Sequence, residues 1–209
     1  MITIFCQNNN SKKIIRDGYT LREIAEAEEI KLTFPTLGAL VNNKVRDMNH
    51  KIYKPSIISF FDITSPYGHA MYKRSAYFLF YKAVSDILPG VKLYIQHSIS
   101  GGKYCELENL NEPLTQDIPD KITKRMKELI EQDIPFERME MLTEDAIAEY
   151  TKHGLTDKSE IFKYRNRIFT SVYKLDDKIN YYYGFLLPST GYIKLFTVDL
   201  YEIGMLLKV

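Results

Sequence analysis

His97 and Cys105 lie within one short stretch of the chain, and a thiol beside an imidazole is the minimum for nucleophilic catalysis. Both belong to strand-like segments, where a buried cysteine behaves as a small, inert apolar group. The four histidines, His50, His69, His97 and His153, show none of the paired spacing that a zinc site needs, so no metal ligand is assigned. Gly102-Lys103 is the one Gly-Lys step, but Tyr104 follows it where a phosphate-binding loop requires Ser or Thr, and His97 stands in place of the first Gly. It reads as a hairpin turn, and no residue is assigned a catalytic role. Arg74 follows Lys73 near the start of a helix and has the two-pronged geometry to hold a phosphate or carboxylate, or equally to form a structural ion pair. Lys12, Lys13 and Arg16, with Lys44 and Arg46 on a neighbouring strand, offer either a small basic face for RNA or a solvated mixed surface, since Asp17 and Asp47 interrupt them.

Charge balance limits the partners of such residues. Lys and Arg number 28 against 27 Asp and Glu, which leaves no net field to draw the chain to nucleic acid. Cys6 and Cys105 are far apart, and the start MITIFCQNNN lacks a basic segment followed by an apolar one. No apolar run approaches the roughly 18 residues that span a bilayer. These features predict a cytoplasmic protein with unpaired thiols and no membrane partner. Tyrosine is abundant (16, beside 11 Phe and no Trp), as expected for sheets with one wet face.

The elements that must position these residues follow from periodicity. Residues 1 to 7 and Lys12 to Asp17 predict a hairpin, and Thr20 with Glu23 has capping-box spacing for a helix to about Glu29. Leu37 to Val45 and Ile57 to Ile63 read as two further strands. The expected core is Ile2, Ile4, Leu21, Ile24, Leu40, Val45, Ile58 and Phe60, within a small β-grasp-like domain. Thr64 to His69 reads as a linker. A helix is expected from near Lys73 to Leu88, then a hairpin of Val91 to His97 and Lys103 to Leu107. Pro119 predicts the first residue of an amphipathic helix ending near Asp133. Ile134 to Met141 reads as a strand, Thr143 to Thr151 as a helix, and Asp157 with Glu160 as a second capping box. Ile168 to Val209 predicts four strands around the turn Pro188-Ser189-Thr190-Gly191.

The segments GYTLREIA and LGALVNNKVRDMNHKI resemble the TGS domain at the N-terminus of threonyl-tRNA synthetase, and Tyr72 to Leu107 resembles the opening helix and hairpin of that enzyme's second additional domain, which edits mischarged tRNA. The resemblance implies an α+β fold in two domains: a TGS-like β-grasp domain at 1–64 and an editing-like domain at 70–209. The family's His-x-x-x-His pair falls on Arg74 and Phe78, and its Cys-x-x-x-His pair falls near Phe185 to Thr190, where FLLPST has no such side chains. The resemblance therefore implies that editing and metal binding are lost. With the SISGGKYCEL hairpin and the tail YYYGFLLPSTGYIKLF, the whole resembles the leader region of bacterial uridine or nucleoside kinases. That implies a non-catalytic accessory or regulatory region, ligand-binding or domain-orienting. Its partner would be a C-terminal P-loop kinase domain of the same chain, using ATP and Mg, with no cofactor in these 209 residues. An RNA- or tRNA-binding module and a free-standing tRNA-editing hydrolase are the alternatives. The chain is expected to be a piece of a longer protein. A cleft between the Lys73 helix, the hairpin and the Pro188 turn is expected to take an anionic or hydroxylated ligand through Arg74, Lys103, Tyr104, Ser189 and Thr190.

Overall fold

The computed structural model describes residues 1–209, which part into two compact units, Met1–Tyr72 and Lys73–Val209. The first is built on β1 (Ile2–Cys6), β2 (Ser11–Ile15), α1 (Leu21–Ala27), β3 (Gly38–Val41), β4 (Lys44–Asp47) and β5 (Ser56–Phe61). The strands form one sheet in the order β2-β1-β5-β3-β4, with β1 parallel to β5 and every other pair antiparallel. Thr20 caps α1 as its spacing predicts: its hydroxyl accepts from the Glu23 amide, and the Glu23 carboxylate accepts from the Thr20 amide. Leu21 and Ile24 of this short helix pack with Ile4, Cys6, Ala39, Ile58 and Phe60.

Two readings of this unit change. The run Leu37 to Val45 is a hairpin rather than a strand, because Asn42 (φ 48°) and Asn43 (φ 62°) both adopt the left-handed conformation of a tight two-residue turn. The turn also shifts the inward face. Ala39 and Val41 are buried while Leu40 and Val45 are only half-buried, since alternate strand residues point to opposite sides. Lys44 and Arg46 consequently lie on β4, at the sheet edge opposite β2, so they form no joint surface with Lys12 and Lys13.

Thr64 to His69 is not a linker throughout, because α2 runs from Pro66 to Ile87. Ser65 accepts a hydrogen bond from the Gly68 amide at 3.0 Å and Pro66 takes the first helical position, where its missing N–H costs nothing.

The second unit holds the rest of α2 and β6 (Lys92–Ile99), β7 (Gly102–Glu108), α3 (Asp117–Glu131), β8 (Glu137–Leu142), α4 (Thr143–Lys152), α5 (Thr156–Lys163), β9 (Phe169–Leu175), β10 (Lys178–Asn180), β11 (Thr197–Tyr201) and β12 (Gly204–Lys208). Its two antiparallel sheets are ordered β11-β12-β7-β6 and β10-β9-β8. Within this unit α2 is wet on almost no side: Ala76, Phe78, Leu79, Phe80, Ala83 and Val84 are all essentially inaccessible. The β6–β7 turn takes positive φ at Ser100 and Gly101, which confirms Gly102-Lys103 as hairpin backbone. α3 starts at Asp117, two residues before Pro119, which still sits in the first turn where no amide is needed. α5 starts at Thr156 without a side-chain cap, so the Asp157/Glu160 box does not form. The four tail strands appear as expected, and the Pro188 turn contains a single 3₁₀ turn, Thr190–Tyr192.

Glu28, directly after α1, is a buried acid whose carboxylate accepts from Asn9 (3.0 Å), Ser11 and Lys13 (2.9 Å). Burial alone would raise its pKa, but hydrogen bonds from Lys13, Ser11 and Asn9 outweigh it and hold the pKa below the ordinary glutamate value. A lowered pKa stabilises the fold above the unfolded value and is lost as pH falls through the folded one. The chain should therefore lose stability below about pH 5 more steeply than Glu28→Gln does. Thermal unfolding of both proteins between pH 7 and pH 3 checks this, with the difference between them narrowing on acidification.

Candidate functional site

Arg74 and Phe78 share one face of α2, and that face meets the segment after β10. Arg74 donates from Nε (3.1 Å) and Nη2 (2.9 Å) to the Phe185 carbonyl, and the Leu187 amide donates to Ser75 Oγ at 2.7 Å. Gly184, at φ 108°, lets the guanidinium pass, since a Cβ there would lie 3.1 Å from it. Phe78 is fully buried, with its ring 5.5 Å from that of Tyr182 and 6.0 Å from that of Phe136. The helix and the Phe185 segment thus meet, joined by packing and by hydrogen bonds to backbone.

The other predicted binding residues do not converge with Arg74. Ser189 donates to Asp133, and Thr190 donates to the Leu129 carbonyl (2.7 Å) while accepting from the Ile134 amide (2.9 Å), so both hydroxyls pin the turn to the end of α3. The Tyr104 ring packs against His97 and Tyr201. Lys103 donates to the Gln96 carbonyl at 3.4 Å. His97 and Cys105 do not pair either. His97 falls in the bulge between Ile95 and Ser98, and Cys105, opposite Ile95, is buried with its thiol pKa pushed up to about 12 by desolvation. In the first unit Lys13 is engaged by Glu28, while Lys12 and Arg16 are exposed.

Two cavities of the second unit escaped the sequence reading. The larger, about 810 Å³, lies between α2, β6 and the turn from α4 into α5. Tyr77, Tyr81, Tyr94 and Tyr182 give it aromatic walls, and Lys92, Lys103, Lys158 and Lys178 give it positive charge. Burial lowers the Lys158 pKa to about 8, with neighbouring Asp157 opposing the shift. Burial raises the Tyr182 hydroxyl well above its ordinary value, keeping it neutral. The smaller cavity, about 290 Å³, is lined by Arg138, Arg165, Arg167, Tyr181, Tyr183 and Phe185 among others. Arg165 lies over the rings of Phe162 (4.8 Å) and Tyr181 (4.9 Å), and Arg138 lies over Phe185 (5.2 Å). The lysines of the larger cavity come from the β6–β7 hairpin, α5 and β10, so no local spacing marks them as a set. YRNRIF, Tyr164 to Phe169, is a visible alternation of basic and aromatic residues that could have flagged the smaller one.

Lys82 ties α2 to the turn that precedes β10. It is 3% exposed on α2 and its ammonium reaches Asp86 (2.8 Å), Asp176 (3.0 Å) and Asp177 (2.5 Å), the last two in the turn joining β9 to β10. Burial opposes its charge, but the hydrogen bonds to Asp177, Asp86 and Asp176 prevail and raise its pKa above the usual lysine value. Arg125 of α3 joins the cluster through Asp86 at 2.9 Å.

No family model matches the chain. It is similar to threonine–tRNA ligases: 29% identical over 187 residues to that of Clostridium kluyveri, covering 88% of this chain and 29% of that protein. The ligase of Carboxydothermus hydrogenoformans is 26% identical over 189 residues, covering 90% of this chain and 30% of that protein. That of Thermobifida fusca is 31% identical over 139 residues, covering 66% and 20%. The chain thus spans less than a third of the length of these relatives. Over most of its length it is threonyl-tRNA-synthetase-like, and its separate mixed and antiparallel sheets fit an α+β fold. No helix is long and apolar enough to cross a membrane.

Replacing Lys82 by Met leaves three carboxylates facing one another around an apolar side chain. The expected loss is about 2 to 4 kcal/mol, below the fully buried case because Asp176 and Asp177 are half-exposed. Urea unfolding of Lys82→Met against the parent measures it, and an unchanged midpoint would remove the cluster from the account.

Proposed function

We propose that the chain is a non-catalytic accessory region of synthetase type: a TGS-like β-grasp domain followed by an editing-type domain whose reactive positions have become structural. The observation that carries this reading is the state of Arg74 and Phe78. Hydrolysis of an ester needs a group that activates water or a nucleophile within reach. Where the resemblance expects two imidazoles, this chain has a guanidinium held on the Phe185 carbonyl and a phenyl ring packed in a core. Neither can take a proton from water at neutral pH. The parallel pairing of β1 with β5 beside a single capped helix supports the β-grasp part.

In this reading the region binds a ligand or orients the catalytic half of a uridine or nucleoside kinase. Phosphoryl transfer with ATP and Mg would belong wholly to a following P-loop domain. The kinase part rests on the combination of a TGS-like domain, a second domain without the His and Cys residues and the tail YYYGFLLPSTGYIKLF, with the SISGGKYCEL hairpin and the PSTGY turn its most specific parts. Purified chain should leave seryl- and threonyl-tRNA intact at the rate of the buffer control, and robust deacylation would overturn the reading. The reading frame beyond Val209 should encode Gly-x-x-x-x-Gly-Lys-Ser/Thr, and a synthetase catalytic domain there would overturn the kinase part.

An RNA-binding role has one observation in its favour. Arg167, Phe169 and Tyr183 are exposed beside the arginine-rich cavity, combining phosphate-binding charge with rings on which bases stack. If it operates, single-stranded RNA binds with strong salt dependence, and Arg167→Ala with Tyr183→Ala weakens it about tenfold or more. Filter binding at two salt concentrations decides the matter.

A further inference from the structure

The larger cavity contains a cation that the fold leaves without a partner. Lys178 pairs with Asp177 at 3.1 Å, Lys92 approaches Glu108 at 4.0 Å, and Lys103 donates to the Gln96 carbonyl. Lys158, on α5, makes no hydrogen bond or ion pair, and its ammonium faces only the ring of Tyr182, 6.0 Å from the centroid. Lys158 is half-buried, and even partial withdrawal of an ammonium from water costs free energy that an opposite charge would offset. At Lys82 the chain supplies three carboxylates for that purpose, and at Lys158 it supplies none in contact. The desolvation that lowers Lys158 to about pKa 8 is the same imbalance seen from the proton's side.

The surroundings define what would restore the balance. Tyr77, Tyr81, Tyr94 and Tyr182 give flat apolar faces with hydroxyl edges, Gln96 and Asn180 add amides, and Asp157 is the one acidic residue in the lining. A volume of about 810 Å³ exceeds what a bare inorganic anion fills and suits a small organic molecule. We propose that this cavity binds a small planar molecule carrying a phosphate or carboxylate, with its acidic group on Lys158 and its ring against the tyrosine walls. The site is lined by none of Arg74, Ser189 and Thr190. It deepens the ligand-binding reading given above, and it stands or falls separately: deacylation would overturn the accessory role, whereas failure to bind anions would overturn only this site.

The test is calorimetric titration of the intact chain with phenyl phosphate, a nucleoside 5′-monophosphate and benzoate, each against benzyl alcohol and inorganic phosphate. At least one ring-bearing anion should bind, and both the neutral ring and the bare anion should bind about tenfold more weakly or worse. The phosphate and carboxylate arms identify the head group. Lys158→Met, which keeps the side chain's length and apolar stem, should fold with an unfolding midpoint no lower than the parent's and lose binding at least about tenfold. Lys158→Arg should retain part of it. As an independent reading, limiting acetic anhydride at pH 8 should acetylate Lys158 faster than the exposed lysines, and the bound anion should protect it. Absence of binding by every ring-bearing anion to folded parent, or binding that survives Lys158→Met, overturns the proposal.

Discussion

A lysine sits in the most enclosed helix of this protein, and its charge must be neutralised before the second unit can close. The segment of α2 around Lys82 is buried on most of its faces, so an unpaired ammonium there would cost on the order of several kcal/mol, a large share of a fold's margin of stability. Asp86, one turn further along the helix, supplies part of the answer, and the Asp176-Asp177 turn supplies the rest. Satisfying that charge brings the β9–β10 hairpin onto α2. The strand that follows the turn, with the residues just after it, then carries Lys178, Asn180 and Tyr182 to the wall of the larger cavity. Arg125 extends the constraint to α3, whose far end receives the Pro188 turn through Thr190.

The same helix presents one face that is filled and one that is open. Upstream of Lys82, Phe78 faces the aromatic cluster and Arg74 binds backbone, so this face is closed by packing. On the neighbouring face Tyr77 and Tyr81 remain partly open beside β6 and the α4–α5 turn. Under the reading proposed above, a domain can lose its reactive groups without losing its concavities, because the concavities come from how the elements cross and the reactivity from a few side chains.

Local signals were legible where a residue type imposes its own geometry. Thr20 with Glu23, the Ser-Gly turn at Ser100 and the helix beginning at Thr143 needed only their neighbours. Asn42-Asn43 was equally local, since two asparagines in succession favour a left-handed turn, but an apolar run on either side concealed it and shifted the inward face by one residue. Ser65-Pro66 has two meanings, linker and helix start, and only the hydrogen bond from Gly68 separates them. The Lys82 cluster joins residues about 95 positions apart, and Lys158 meets Tyr182 only after two elements fold back. Nothing in local spacing encodes such meetings. The resemblance mapped family positions onto Arg74 and onto Phe185 to Thr190, yet it could not say that the guanidinium would be consumed by the Phe185 carbonyl.

The central claim is that Arg74 holds the fold and no ligand. Chemical denaturation and anion titration of Arg74→Met, carried out on the same preparation, test it directly. The account predicts a loss of about 1 to 3 kcal/mol, because the Phe185 carbonyl loses its charged donor, with affinity of the Lys158 cavity for ring-bearing anions unchanged within about twofold. Unchanged stability together with lost binding would show that Arg74 is a ligand residue and would contradict the account.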